Sequence, residues 1–334
     1  MVIPVALYEA LFIKLFGTAA VMSLKIANIF FMTGSVALVM AIADKMFGKK
    51  AGMICGLMYA IYPAPIMLTS VLTSQHQEVF FFLLAVYFLL AFKSKIKYLS
   101  YVLAGISITL SQFFRPEGII FFAVVVACII WKLIASIYEF RKSRDEKKRD
   151  VLVKEIKNLI IASALIFGVY FVLYSGMNLV VKCSGLNDEG LVNYIPETKF
   201  LMGMDADTNG YYTDEYGYIG EIDDKVERKE AFTNALKENF DRYPGFLSFE
   251  IDKFNQFWSS YEDPYWSMGS IEGVDGLIDA AYTWIGIERG VTVAIWLLFV
   301  VACIITIKKK NYRIGDGSHL LKMSNRQEAI EKHR

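Results

Sequence analysis

The sequence predicts an all-α polytopic membrane protein with a mainly α extracytoplasmic domain. Hydrophobic residues make up 55% of the 334-residue chain, more than the roughly 45–50% that is usual for a soluble domain. Apolar segments of about the length that crosses a bilayer recur along the chain, and basic residues fall in alternate loops between them. Such a number of long apolar runs is hard to bury without lipid, which argues against a soluble helical protein.

Seven apolar segments are predicted to be membrane-spanning helices, because about 20 apolar residues are needed to cross the hydrocarbon of a bilayer. Basic residues then give their orientation: the loop 138–157 carries eight Lys or Arg, whereas 70–76 carries none. The positive-inside rule therefore places 70–76, 114–117 and 183–288 outside the cytoplasm. The predicted spans are 19–43, 51–69, 77–92, 99–113, 118–137, 158–181 and 290–307.

These spans predict the organisation of the chain in the plasma membrane. An external interfacial helix over 1–18 precedes a six-helix transmembrane region over 19–182. The extracytoplasmic domain over 183–288 follows, then the last transmembrane helix over 289–308 and a cytoplasmic tail over 309–334. The extracytoplasmic domain is acidic, with 22 Asp or Glu against seven Lys or Arg, and it is predicted to contain helices over 223–240 and 245–258. No basic face with interleaved aromatic residues occurs in the sequence, so nucleic acid is not an expected partner.

Cysteine spacing and acidic motifs give little sign of a metal site. Cys55, Cys128, Cys183 and Cys303 lie in or beside the predicted spans without paired spacing, which predicts neither a disulfide framework nor a thiolate metal site. The stretch "DADTNG" places Asp205, Asp207 and Asn209 as in the first half of an EF-hand calcium loop. The twelfth position is Tyr216 instead of Glu, and the same residue types are common in tight turns. We predict no cofactor and keep a divalent cation as the alternative.

Three stretches resemble successive blocks of the bacterial glycosyltransferase family 39 / dolichyl-phosphate-mannose protein mannosyltransferase-like integral membrane proteins. They are "YEALFIKLFG", the segment 23–68 with its Tyr62–Pro63 pair, and "LAGISITLSQFFRPEGIIFF". The resemblance implies a GT-C fold and an enzyme that takes a sugar from a polyprenyl-phosphate carrier. The sugar would be transferred, outside the cytoplasm, to a protein, lipid or wall-polymer acceptor.

The same resemblance implies that the catalytic acidic residue lies in a first external loop, directly before the block at which this chain begins. We therefore expect a transmembrane helix and its loop to precede the chain in the full protein. No residue of the chain itself is expected to take the catalytic role, and the chain alone would then be an inactive fragment.

Candidate substrate-binding residues gather at the predicted outer ends of the spans. A guanidinium matches phosphate oxygens, which makes Arg115 the candidate for the carrier phosphate. Pro116 disfavours helix at Arg115, so "RPEG" is predicted to be a break between two spans. Glu117 then begins the next helix, where the helix dipole favours a carboxylate. The alternative is that Arg115 and Glu117 cap their helices and pair with each other.

The second external turn adds polar residues at the start of a span, where they are expected to face a cavity or the protein interior. Gln75, His76 and Glu78 are therefore candidates for substrate contact, although helical spacing does not put all of them on one face. Lys25 is a candidate second cation or a side chain that extends to the headgroups. The rival function is a non-catalytic polytopic protein, such as a transporter subunit or a cell-envelope assembly scaffold. A transporter is expected to have charged or Gly/Pro-broken segments at the depth of the bilayer midplane in paired halves, and the sequence shows no internal repeat.

Overall fold

The computed structural model describes residues 3–91, 97–115, 119–142, 146–188, 190–191, 196–205, 207–210, 213–242 and 245–259, with short pieces between 276 and 304. Over the part before residue 260, the described chain is almost entirely helical and contains no strand, so the all-α prediction is confirmed. The helices are α1 (Ile3–Phe16), α2 (Ala20–Phe47), α3 (Lys49–Ala60), α4 (Pro63–Leu68), α5 (Gln75–Ala91), α6 (Lys97–Phe114), α7 (Ile119–Lys142), α8 (Glu146–Cys183), α9 (Pro196–Gly203), α10 (Gly217–Glu221), α11 (Lys225–Arg242) and α12 (Phe246–Ser259).

Two helical stretches among the described residues are long and apolar enough to cross a membrane. They are Ile3–Phe47, which includes a 3-10 turn at Gly17–Ala19, and Leu152–Cys183. Only 6% of the apolar window in Leu152–Cys183 is buried, whereas the core helix of a soluble protein is mostly buried. Helices α5 and α6 are apolar but shorter. The full seven-span topology stays a prediction.

The second predicted span, 51–69, is not one helix. Helix α3 ends at Ala60, Tyr62 is extended with ψ 122°, and Pro63 begins α4. A residue before proline is biased away from helix, which explains the interruption at Tyr62. The 12 residues of α3 rise only about 18 Å, whereas the hydrocarbon core is about 30 Å thick.

The predicted break at "RPEG" is confirmed where the structure describes it. Helix α6 ends at Phe114, Arg115 is not helical, and α7 begins at Ile119. Glu117 lies outside the described residues, as do the predicted tail over 309–334 and much of the predicted last span.

Helix α5 contacts both α2 and α6, and α6 in turn packs against α8. A buried core contributed by α5, α6, α7 and α8 consists of Ala85, Ile108, Phe121, Phe122 and Ile166. Helix α3 packs closely against α2 because Gly52 and Gly56 face it. A Cβ atom at Gly52 would lie 2.8 Å from the Met40 carbonyl oxygen, too close for any larger residue without a shift.

A second core lies in the segment after α8, where α9, α10 and α11 contact one another. It contains Leu201, Tyr216, Ile219 and Ala235. The helices predicted over 223–240 and 245–258 are confirmed as α11 and α12, with small shifts at their ends. Asp224 lies before α11 instead of in its first turn, and its Oδ1 accepts hydrogen bonds from the amides of Val226 and Glu227 at 2.8 and 2.9 Å. It is therefore the N-cap of α11.

Candidate functional site

A cluster of polar side chains lies where α1, α2 and the start of α5 meet, beside the end of α6. We call Tyr8, Glu9, Asn28, Ser74 and Gln77 the junction cluster. Gly17, at φ +54°, is the residue type that takes a left-handed conformation most easily, and it allows the chain to turn between α1 and α2. The Tyr8 ring also contacts the ring of Phe114 edge to face, with 5.3 Å between the centroids.

Hydrogen bonds connect three of these helical elements through Asn28 and Gln77, which are each only 2% exposed. The Asn28 side-chain amide donates to the Val71 carbonyl at 3.0 Å. The Gln77 amide donates to Asn28 Oδ1 at 2.9 Å and lies 3.4 Å from the Tyr8 hydroxyl, which is a long contact. The remaining oxygen, Gln77 Oε1, is buried and finds no hydrogen-bond partner in the described part of the chain. An unpaired buried acceptor is costly, and therefore marks a place where a ligand or water would be stabilised.

The junction cluster borders a small cleft with room for about one water molecule. Glu9 is the one acidic or basic side chain among its described lining residues. The Glu9 carboxylate and Gln77 Oε1 are both able to accept a hydrogen bond, so the cleft suits a group that donates one, such as a hydroxyl. The cleft is lined by Val5, Tyr8, Glu9, Leu24, Asn28, Leu72, Thr73, Ser74 and Gln77.

Two hydroxyl groups attach the start of α5 to the end of α6. The Ser74 hydroxyl donates to the Phe114 carbonyl, and the Ser111 hydroxyl donates to the Glu78 carbonyl, both at 3.1 Å. Arg115 directly follows Phe114 and is half-buried. The structure therefore brings the backbone of Arg115 to the same end of the helices as the polar start of α5, as the sequence predicts.

The predicted substrate-binding residues adjoin the cleft without lining it. His76 is 6% exposed, hydrogen-bonds to the backbone of Leu68, and keeps Nε2 buried without a partner among the described residues. Gln75 and Glu78 are half-buried beside it. Lys25 is half-buried on α2, one turn before Asn28.

Sequence reasoning missed the residues that do line the cleft. The sequence places Tyr8 and Glu9 only within the predicted interfacial helix over 1–18, and it gives Gln77 no role. Asn28 carried a usable signal, because a polar side chain inside an apolar run is expected to face a protein partner and not lipid.

The "DADTNG" stretch forms a tight turn. The Asp205 carbonyl accepts a hydrogen bond from the Gly210 amide at 3.0 Å, and Asn209 and Gly210 have φ of 53° and 81°. The Asp207 carboxylate is bound to the Arg242 guanidinium at 2.8 Å, an interaction that raises the pKa of Arg242. Throughout the described residues, no group of three or more His, Cys, Asp or Glu could hold a metal ion. The calcium alternative therefore gains no support.

Tyr216, at the twelfth position of this stretch, is a core residue. It is 3% exposed, and its hydroxyl donates to Asn239 Oδ1 at 3.0 Å. Burial raises the pKa of this phenol because the apolar surroundings disfavour the charged phenolate. An EF-hand requires a bidentate Glu at that position, whereas here the packing of the second core determines the residue.

Comparison with known proteins yields no protein-family model, curated protein or solved structure that matches the chain. A function must therefore be proposed from the residues of the chain itself and from the three sequence stretches quoted above.

Proposed function

We propose that this protein is a membrane glycosyltransferase of the GT-C type. It would transfer a sugar from a polyprenyl-phosphate carrier to an extracytoplasmic protein, lipid or wall-polymer acceptor. The observation that carries the proposal is the junction cluster, a group of polar side chains at one end of apolar helices in which Asn28 and Gln77 are buried and the one carboxylate, Glu9, is half-buried. Polar side chains within apolar helices are expensive unless they serve a site or pair with each other. The resemblance of the three sequence stretches supports this reaction class.

Arg115 is the residue that we propose to bind the carrier phosphate. It lies at the end of α6, next to a serine-anchored turn, and a guanidinium can donate two parallel hydrogen bonds to phosphate oxygens. The leaving group of the reaction is this phosphate, so a cation there would stabilise the negative charge that develops as the sugar departs. Lys25 and His76 are the proposed auxiliary contacts at the same end.

Glu9 is the residue that we propose to accept the proton of the acceptor. Its carboxylate would take the proton of an acceptor hydroxyl while the hydroxyl oxygen forms a bond to the anomeric carbon of the sugar. The bond between that carbon and the phosphate oxygen breaks, and the polyprenyl phosphate leaves with the electron pair. The sequence led us to expect no such residue within the chain, and the cleft supplies one.

The test uses the purified full chain in lipid nanodiscs, with binding and turnover measured separately. Native mass spectrometry with undecaprenyl phosphate alone reports carrier binding, which Arg115→Ala should weaken by about tenfold or more. A charge-assisted hydrogen bond is worth about 1.5–3 kcal/mol, and tenfold corresponds to 1.4 kcal/mol. The matched control is Lys50→Ala, which removes one positive charge at an exposed position of α3. This variant should bind undecaprenyl phosphate as tightly as the unchanged protein does.

Turnover is measured by incubating the nanodiscs with a panel of polyprenyl-phosphate hexoses and a panel of hydroxyl-bearing peptide, lipid and wall-polymer acceptors, and recording the release of polyprenyl phosphate. Glu9→Gln should abolish release while carrier binding is retained, because only the proton acceptor is lost. Carrier binding by Arg115→Ala that equals that of the unchanged protein would refute the phosphate assignment.

One observation favours the second candidate, a non-catalytic polytopic protein such as a transporter subunit or assembly scaffold. The cleft has room for about one water molecule, which is far less than a sugar requires. If this candidate is correct, the unchanged protein releases no polyprenyl phosphate from any of the donors. Glu9→Gln then changes neither that release nor carrier binding.

A further inference from the structure

One face of helix α12 packs against the segment that contains α9. Phe249 is 3% exposed, and the Lys253 amine donates to the Gly203 carbonyl at 2.6 Å. The same amine lies 5.5 Å from the centroid of the Phe249 ring. Phe249 and Lys253 are four residues apart and share a face, so these contacts determine how the helix is rotated about its axis.

The opposite face of α12 is apolar and exposed. Leu247 is 73% exposed and Ile251 is 51% exposed. They are one turn apart, and at 3.6 residues per turn they lie on the side of the helix away from Phe249 and Lys253. The sequence continues the same positions with Phe at 254 and Trp at 258. We call Leu247 and Ile251 the α12 stripe.

We propose that the α12 stripe lies in the surface of the membrane, with α12 parallel to the bilayer plane. This inference rests on the membrane location in the proposed function and not on the transferase activity. Large apolar side chains on one exposed face of a helix are typical of helices that lie in the interface between lipid headgroups and acyl chains. The 14 residues of α12 extend about 21 Å.

The connection to α8 keeps this segment close to the bilayer. Leu152–Cys183 is one of the candidate membrane-spanning stretches, and residues 184–195 join it to α9 at Pro196. An extended chain covers at most about 3.5 Å per residue, so this connection spans about 45 Å or less. Because Lys253 of α12 is bonded to Gly203 of α9, α12 is held within reach of the lipid surface.

The charged residues of α12 indicate whether the helix is attracted to anionic headgroups or to the apolar part of the membrane. Glu250 and Asp252 are exposed on α12, and Lys253 is the one basic residue of the helix. The helix therefore has no excess of basic residues to attract anionic headgroups. Burial of apolar surface must drive the interaction, so contact should be equal in zwitterionic and anionic membranes and insensitive to salt.

The test measures lipid contact at single positions of the full chain in phosphatidylcholine nanodiscs. The native cysteines, Cys55, Cys128, Cys183 and Cys303, are replaced by Ser, and a spin label is attached to Ile251→Cys, with Asp252→Cys as the control on the polar flank. Relaxation enhancement by oxygen reports lipid exposure, and enhancement by a water-soluble nickel complex reports aqueous exposure. The oxygen-to-nickel ratio should be several-fold higher at 251 than at 252, and unchanged when anionic lipid is added.

Two results would overturn the inference. A ratio at 251 equal to that at 252 would mean that the stripe lies in water. A label at 251 that neither reagent reaches would mean that protein covers the stripe, either a second copy or another part of this chain. Leu247→Cys serves as the second probe where Ile251→Cys does not yield a monodisperse protein. Extraction of the unlabelled protein by alkaline carbonate would refute the membrane location itself, which is a different failure.

Discussion

The replacement Asn28→Ala tests whether the junction cluster holds the helices together. Asn28 lies in α2 and is 2% exposed. Its amide group donates to the Val71 carbonyl at 3.0 Å, and its oxygen accepts from Gln77 at 2.9 Å. Alanine removes both bonds and leaves the Val71 carbonyl and the Gln77 amide without these partners.

The magnitude follows from the two groups that lose a partner. A buried polar group left unpaired costs about 1–3 kcal/mol, so two groups cost about 2–6 kcal/mol. The neighbouring cleft admits about one water molecule, which can replace one lost bond. One group is then left unpaired, and we therefore expect a destabilisation of about 1–3 kcal/mol.

The matched control is Ser35→Ala, two turns further along the same helix. Ser35 is 1% exposed, but its hydroxyl donates to the Phe31 carbonyl of its own helix at 2.9 Å. Its loss leaves no group of another helix unpaired, and we expect a change of about 0.5 kcal/mol or less. The measurement is the midpoint of thermal unfolding in detergent. A shift of about 2–4 °C per kcal/mol is usual for chains of 150–250 residues, so Asn28→Ala should lower the midpoint by about 2–12 °C. Equal midpoints for Asn28→Ala and Ser35→Ala would refute the bonded cluster.

Two further predictions use the same unfolding assay. Gly52→Ala places a Cβ 2.8 Å from the Met40 carbonyl oxygen, so overpacking of about 1–3 kcal/mol should outweigh the helix gain of about 0.5–1 kcal/mol. Gly168→Ala, which meets no atom within 4 Å, should only gain stability, and the reverse order of the two variants would contradict the close packing of α2 and α3. Asp224→Ala removes the N-cap bonds of α11 and should lower the free energy of unfolding by about 1 kcal/mol. An unfolding midpoint equal to that of the unchanged protein, followed by circular dichroism, would argue against the cap.

Sequence patterns predicted the elements well where local chemistry determines them. The ends of α11 and α12 lie close to their predicted positions because acidic caps, a glycine and helix-forming residues act within a few residues. The break after Phe114 follows from the restriction that Pro116 imposes on Arg115. The prediction of one continuous span over 51–69 is wrong for the same reason. The apolar composition of the segment suggests one helix, but Pro63 restricts Tyr62 and interrupts it.

The candidate site could be predicted only in part, because its residues are distant in the sequence. Gln77 bonds to Asn28, 49 residues away, and lies near Tyr8, 69 residues away. No local pattern shows that α1 packs beside the start of α5, and so Glu9 could not be associated with Gln77. Arg115 is predicted beside the polar start of α5, and this proximity is found because Ser74 bonds to the carbonyl of Phe114, its neighbour in the sequence.

The junction cluster has a second consequence, which connects the fold to the proposed chemistry. Apolar helices that pack against each other through similar aliphatic side chains can slide by one turn with little loss of contact. Such a slide between α2 and α5 would separate Asn28 from Gln77 and leave both amides unpaired at low dielectric. The hydrogen bond between them therefore selects one register, and the Tyr8 contact extends that register to α1, which carries Glu9. Loss of Asn28 should accordingly displace the proposed proton acceptor as well as lower stability, so turnover by Asn28→Ala at a temperature where it remains folded should fall with that of Glu9→Gln.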